Sequence, residues 1–112
     1  MLPESFIKRL EKIVPIDYLE PVLSSFSQPR PTTFRANTLK ISSENLKKQL
    51  HNLSIIYKTV DWYKEAFVLV SPSKKEFIET DLYKNGMVYV QSLSSMIPPL
   101  VLDPRPNEKV CD

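Results

Sequence analysis

The sequence predicts an α+β chain: helices first, then a domain running strand, helix, strand, strand, helix, strand. Three observations carry the prediction. Apolar residues recur at helical spacing up to Pro15 and again up to Phe26; short or alternating apolar runs appear at four places between Thr33 and Gln91; and turn-forming residues separate those runs, ending with Asn85-Gly86, which holds the chain's one glycine.

Taken in order, Pro3 suits a first helical turn, and Phe6, Leu10 and Ile13 share a face until Pro15 stops the run. A second helix is expected between Asp17 and Phe26, with Leu19, Val22, Leu23 and Phe26 as its face and Pro21 leaving its start open. Ser27-Gln28-Pro29-Arg30-Pro31 reads as a stiff linker, because each proline biases the residue before it toward extended geometry. Thr33 to Leu39 alternates, with Phe34, Ala36 and Thr38 on one face and Arg35, Asn37 and Leu39 on the other. Ser42 or Ser43 caps the next helix, whose apolar stripe is Leu46, Leu50 and Leu53. Ile55 to Trp62 and Ala66 to Val70 are expected strands, joined as a hairpin through Tyr63-Lys64-Glu65. A weaker helix or irregular turn through Phe77, Ile78 and Leu82 leads to Gly86, and Met87 to Gln91 is the fourth strand. This order is the split βαβ arrangement of ferredoxin-like and RNA-recognition-like domains. The aromatic RNA-recognition pattern is missing apart from Ala66-Phe67-Val68, so Phe67 is expected in the core; Trp62 is expected to pack in the core or an interface.

Composition bounds the function. With 42% apolar and 25% charged residues, the chain has the balance of an ordinary globular protein, and no apolar run approaches the roughly 20 residues of a spanning helix. The absence of a signal-peptide pattern and the single Cys111 fit a cytoplasmic setting. A net charge of +2 does not by itself announce nucleic acid, but Lys8, Arg9 and Lys12 share one helical stretch, and Arg30, Arg35 and Lys40 gather around the first strand. One glycine excludes a glycine-rich phosphate loop. His51 has no Cys, Asp or His at metal spacing and reads as a solvated helix residue.

Three stretches in this order, "RPTTFRANTLK", "WYKEAFVLV" and "YKNGMVYVQSLSSMIPPLVLDPRPNEKVCD", resemble the N-terminal part of the RNA cytosine-C5 methyltransferases related to the Nop2/Sun and Fmu proteins. The resemblance implies a helical segment over 1–28, an RNA-recognition-like domain over 29–93, and a connector over 94–112 that ends at the first strand, Lys109 to Asp112, of a Rossmann-like methyltransferase domain. S-adenosylmethionine would be bound by that later domain and not by this chain. The catalytic cysteines of such enzymes would also lie there, so Cys111 matches neither; it is expected to be a buried small residue in the intact enzyme, and its thiol is expected to be exposed in this chain, where the neighbouring strands are missing. Asn107 stands where a Gly is common. The chain is accordingly expected to be the front end of a longer enzyme, without catalytic, cofactor or metal residues of its own. Its implied partners are RNA, ribosomal or transfer, and the catalytic domain of the same chain, with no DNA and no membrane.

Arg30, Arg35, Asn37 and Lys40 are the candidate RNA contacts, Arg through phosphate and Asn through a base edge or phosphate. The competing reading for Arg35 and Asn37 is that they satisfy backbone groups at an interface with the catalytic domain. Gln91 and Ser95 are candidates for lining the approach to the target cytosine, and Ser94 or Ser95 alternatively caps a short helix that Pro98-Pro99 constrains. The alternative to an enzyme's front end is a freestanding RNA-recognition-like or protein-interaction module.

Overall fold

The computed structural model describes residues 2–111, which fall into two compact units dividing between Arg30 and Pro31. The first unit is a pair of helices, α1 (Glu4–Ile13) and α2 (Ile16–Ser25). The Pro3 carbonyl accepts the Phe6 and Ile7 N–H groups that start α1. Val14 ends it, held extended (φ −99°, ψ 127°) by the proline that follows. Pro21 lies inside α2, which starts at Ile16, one residue ahead of the expected start. Phe6 and Phe26 meet edge to face, ring centroids 5.5 Å apart. That geometry suits the quadrupoles of the two rings.

The second unit contains β1 (Thr33–Ala36), α3 (Ser43–Asn52), β2 (Ile56–Thr59), β3 (Ala66–Ser71), α4 (Lys74–Phe77), α5 (Asp81–Lys84), β4 (Val88–Val90) and α6 (Leu93–Leu102). The strands form one sheet in the order β2-β3-β1-β4, with every neighbouring pair antiparallel. The register sets Phe34 opposite Phe67 and Val90, and Arg35 opposite Ala66 and Tyr89. Because side chains alternate along a strand, Phe34 and Ala36 enter the core and Arg35 takes the other face. The core is built from Phe34, Phe67, Phe77, Leu46, Leu50 and their neighbours, and the Phe34 ring lies 5.3 Å from that of Phe67 and 4.6 Å from that of Phe77. Each such buried phenylalanine contributes about 1.5–3 kcal/mol by leaving water.

Several expectations are corrected. β1 stops at Ala36, not Leu39, because Asn37 starts a turn: its carbonyl accepts from the Lys40 and Ile41 N–H groups and its Oδ1 from the Leu39 N–H. β2 stops at Thr59, short of Trp62. Leu53 is half-exposed beyond the end of α3, whose cap is Ser42, accepting from the Asn45 N–H at 3.3 Å. The second helical region is two one-turn helices. Trp62 is 52% exposed and is not a core residue. Lys109, Val110 and Cys111 are exposed and form no strand over the described residues; the strand is expected only where the sheet of a further domain lies beside it, and Asp112 lies outside the described residues. Asn107 takes the left-handed conformation (φ 73°), which asparagine tolerates in place of the expected glycine.

Candidate nucleic-acid interface

The sheet face opposite the core is where the sequence-predicted residues Arg35, Gln91 and Ser95 come together. Arg35 is half-buried on the central strand β1, and its guanidinium carbon sits 5.4 Å from the centroid of the Tyr89 ring on β4. A guanidinium at that distance from an aromatic face is held by the ring quadrupole. Its Nε donates to Gln91 Oε1 at 3.1 Å. Gln91 is fixed in turn at both ends of its amide. Its backbone carbonyl accepts the Thr33 hydroxyl (2.5 Å), its backbone N–H donates to the Thr33 carbonyl (3.1 Å), and its Nε2 donates to the Ser95 carbonyl (3.1 Å).

The last of these bonds follows from a proline. In a regular helix the Ser95 carbonyl receives the N–H of the residue four places on. That residue is Pro99, which has none. The freed acceptor takes the Gln91 amide instead. The start of α6 is capped by Ser92, whose Oγ accepts the Ser95 N–H at 3.3 Å, so neither Ser94 nor Ser95 is the cap. The Ser95 hydroxyl lies 2.7 Å from that of Ser92.

Arg35, Gln91, Met96 and Pro99, with Tyr63 from the loop before β3, line a cleft of about 170 Å³. Met96 and Ala66 are buried here, outside the main core cluster. Among the described residues no carbonyl or carboxylate takes the two terminal nitrogens of Arg35. The site therefore presents an oriented cation with unused donors, a fork suited to phosphate or a base edge.

Asn37 and Lys40 form a second cluster. Asn37 Nδ2 donates to the Gly86 carbonyl (2.8 Å) and Lys40 Nζ to the Asn85 carbonyl (2.8 Å), so both tie the turn after β1 to the end of α5. Arg30 is exposed at the end of the first unit. The structure thus groups Arg35 with Gln91 and Ser95, and Asn37 with Lys40. Tyr63 and Tyr89 were missed in the sequence; the one available signal was Tyr89's alternation with Val88 and Val90, which places it on the outward face.

The described residues do not fit S-adenosylmethionine: Gly86 closes a helix end under the Lys40 side chain, and no glycine loop follows any strand. No group of three His, Cys, Asp or Glu residues among the described residues is placed to hold a metal. Cys111 is exposed, and no helix is long and apolar enough to cross a membrane among the described residues.

Comparison with known proteins places this geometry. The chain is 35% identical over 91 residues to the 26S rRNA (cytosine-C(5))-methyltransferase nsun-1 of Caenorhabditis elegans, covering 80% of this chain and 14% of that protein. It is 26% identical over 102 residues to the ribosomal RNA small subunit methyltransferase F of Shewanella oneidensis, covering 90% of this chain and 22% of that one. The chain therefore spans less than a quarter of the length of these relatives. Among solved structures, a methyltransferase homolog protein from Pyrococcus horikoshii superimposes with a TM-score of 0.75 at 32% identity, over 96% of this chain and 39% of that one. The family described as the N-terminal domain of 16S rRNA methyltransferase RsmF matches residues 2–93, the span that includes the sheet and the Arg35–Gln91 pair, and the chain belongs to that family.

Proposed function

We propose that this chain is the RNA-positioning N-terminal part of an S-adenosylmethionine-dependent rRNA cytosine-C5 methyltransferase, and that it holds RNA while a separate catalytic domain carries the cofactor and the attacking cysteine. The observation that carries the reading is the Arg35 guanidinium, fixed by Gln91 and Tyr89 on the outer sheet face with its terminal donors unused. The relatives' names favour ribosomal over transfer RNA. The sheet order with antiparallel neighbours supports a ferredoxin-like, RNA-recognition-like arrangement. The lone, unpaired Cys111 suits a reducing cytoplasm.

Chemically, the chain's part is binding and orientation. Arg35 would neutralise a backbone phosphate; Gln91 and Ser95 hold that arginine and the start of α6 in register beside it. Such contacts to phosphate position RNA without reading its sequence.

The test is anisotropy of a labelled ribo-oligonucleotide titrated with the chain at several salt concentrations. Affinity should be weak and fall with salt on a shallow slope, because few phosphates are contacted. Arg35→Ala should weaken binding similarly across RNA sequences and reduce the log–log salt slope by about one. Tight, sequence-selective, salt-independent binding by this chain would contradict the reading and favour a freestanding recognition module. Calorimetric titration with S-adenosylmethionine should give no saturable heat; stoichiometric binding would place the cofactor site here instead.

A further inference from the structure

The chain's one tryptophan is more open to water than a packing role allows. Trp62 is 52% exposed, and its ring lies nearly parallel to that of Tyr63, with 20° between the planes and centroids 6.1 Å apart. Tyr63 is half-buried and forms one wall of the cleft that Arg35, Gln91, Met96 and Pro99 complete. On the neighbouring strand Tyr89 is 56% exposed beside the same guanidinium. Tyr63 and Tyr89 thus border a cation whose terminal nitrogens are unused, and Trp62 extends the Tyr63 side as a second ring. None belongs to the main core cluster.

We infer that the Trp62–Tyr63 pair is a stacking wall for an unpaired RNA base, whose adjoining phosphate Arg35 holds. This rests on the phosphate-binding reading above and adds what that reading leaves open, the class of RNA: single-stranded segments, loops or bulges. Unpaired bases expose π-faces that stack on aromatic side chains and arginine planes, whereas the bases of an A-form duplex are already stacked on one another. The combination of one charge for the backbone and flat apolar rings for the base is what single-strand binding requires, and it tolerates any base because every base has a π-face. Gln91 does not contribute recognition here, since both ends of its amide are already engaged by Arg35 and Ser95.

Trp62 is its own reporter. The 112-residue chain is titrated with a single-stranded ribo-oligonucleotide and with an RNA duplex of equal phosphate count, following Trp62 emission and, with labelled RNA, anisotropy. The single strand should quench Trp62 and bind about tenfold tighter than the duplex, the loss expected for one unstacked base. Trp62→Leu should remove that preference and leave duplex affinity unchanged, while Trp62→Phe keeps most of it; because Trp62 is exposed, both variants are expected to fold. Tyr63→Leu should lower single-strand affinity and Tyr63→Phe should keep most of it. Equal binding of both RNAs with unchanged Trp62 emission, while Arg35→Ala still weakens both, would overturn the stacking wall and leave the phosphate contact standing. No binding of either RNA would overturn the phosphate reading and the stacking wall with it.

Discussion

Two residues show how backbone geometry chooses side chains in this domain. α3 and α5 end in the same motif: the Ile55 N–H reaches the Leu50 carbonyl and the Ser54 N–H that of His51, just as Met87 reaches Leu82 and Gly86 reaches Tyr83. In both, the residue after the cap is left-handed, Ser54 at φ 56° and Gly86 at φ 66°. Glycine adopts that conformation freely, whereas serine carries a Cβ penalty of about 1 kcal/mol. Ser54→Gly should therefore stabilise the protein by about 0.5–1 kcal/mol, and Gly86→Ala should destabilise it by about 1–2 kcal/mol. At Gly86 a Cβ would meet the end of the Lys40 side chain, with Nζ at 3.1 Å; that flexible end can shift by a few tenths of an ångström, so strain dominates over the clash. Urea unfolding of the two variants checks both signs; a destabilised Ser54→Gly would contradict the assignment. The alternation that sends Arg35 away from Phe34 and Ala36 was legible in the sequence because strand side chains repeat every two residues. The identity of the Arg35 partner was not: Gln91 lies on another strand end, and only the sheet register brings them together.

At the scale of elements, the short helices depend on their caps. α4 has only four residues, and a capping box starts it: Ser73 Oγ accepts the Glu76 N–H while Glu76 Oε2 accepts the Ser73 N–H at 3.0 Å and its hydroxyl at 2.6 Å. Ser73→Ala should cost about 1 kcal/mol in urea unfolding. Bonds from the Ser73 hydroxyl, then from its backbone, hold the Glu76 carboxyl below the ordinary range. A carboxyl lowered in the folded state contributes stability that is present above its ordinary value, near about 4.3, and is lost as pH falls through the lowered folded value. The protein and its Glu76→Gln variant should therefore differ in urea midpoint at neutral pH and converge in acid; a constant gap across that range would mean that the carboxylate charge is not what the cap uses. The sequence placed this region as weakly helical, which Pro72 and the short apolar spacing made plain, but not its division in two. Ser92 rather than Ser94 or Ser95 caps α6: three nearby serines satisfy the same local rule, and Ser92 is the one whose backbone is extended (φ −67°, ψ 148°) ahead of the helix.

For the whole molecule, the central claim is that the outer sheet face around Arg35 is where RNA is held. Its ingredients lie far apart in the chain, at 35, 62–63, 89 and 91–99, so no local pattern shows the site. What the sequence did show was each ingredient separately: a polar strand face, a tryptophan ahead of an apolar strand, a glutamine and serines before two prolines. The tail shows the limit from the other side. Val110 and Cys111 read as a buried strand of a further domain through the family resemblance, and a strand exists only with a neighbour to complete its ladder. The most direct measurement is the ¹⁵N–¹H correlation spectrum of the chain titrated with single-stranded RNA. The account predicts that the largest shift changes fall on Arg35, Tyr63, Tyr89, Gln91 and the first turn of α6, with the opposite side of the domain, α3 and α4, unmoved. Saturating RNA that shifts α3 and α4 while the Arg35 face stays silent would contradict it.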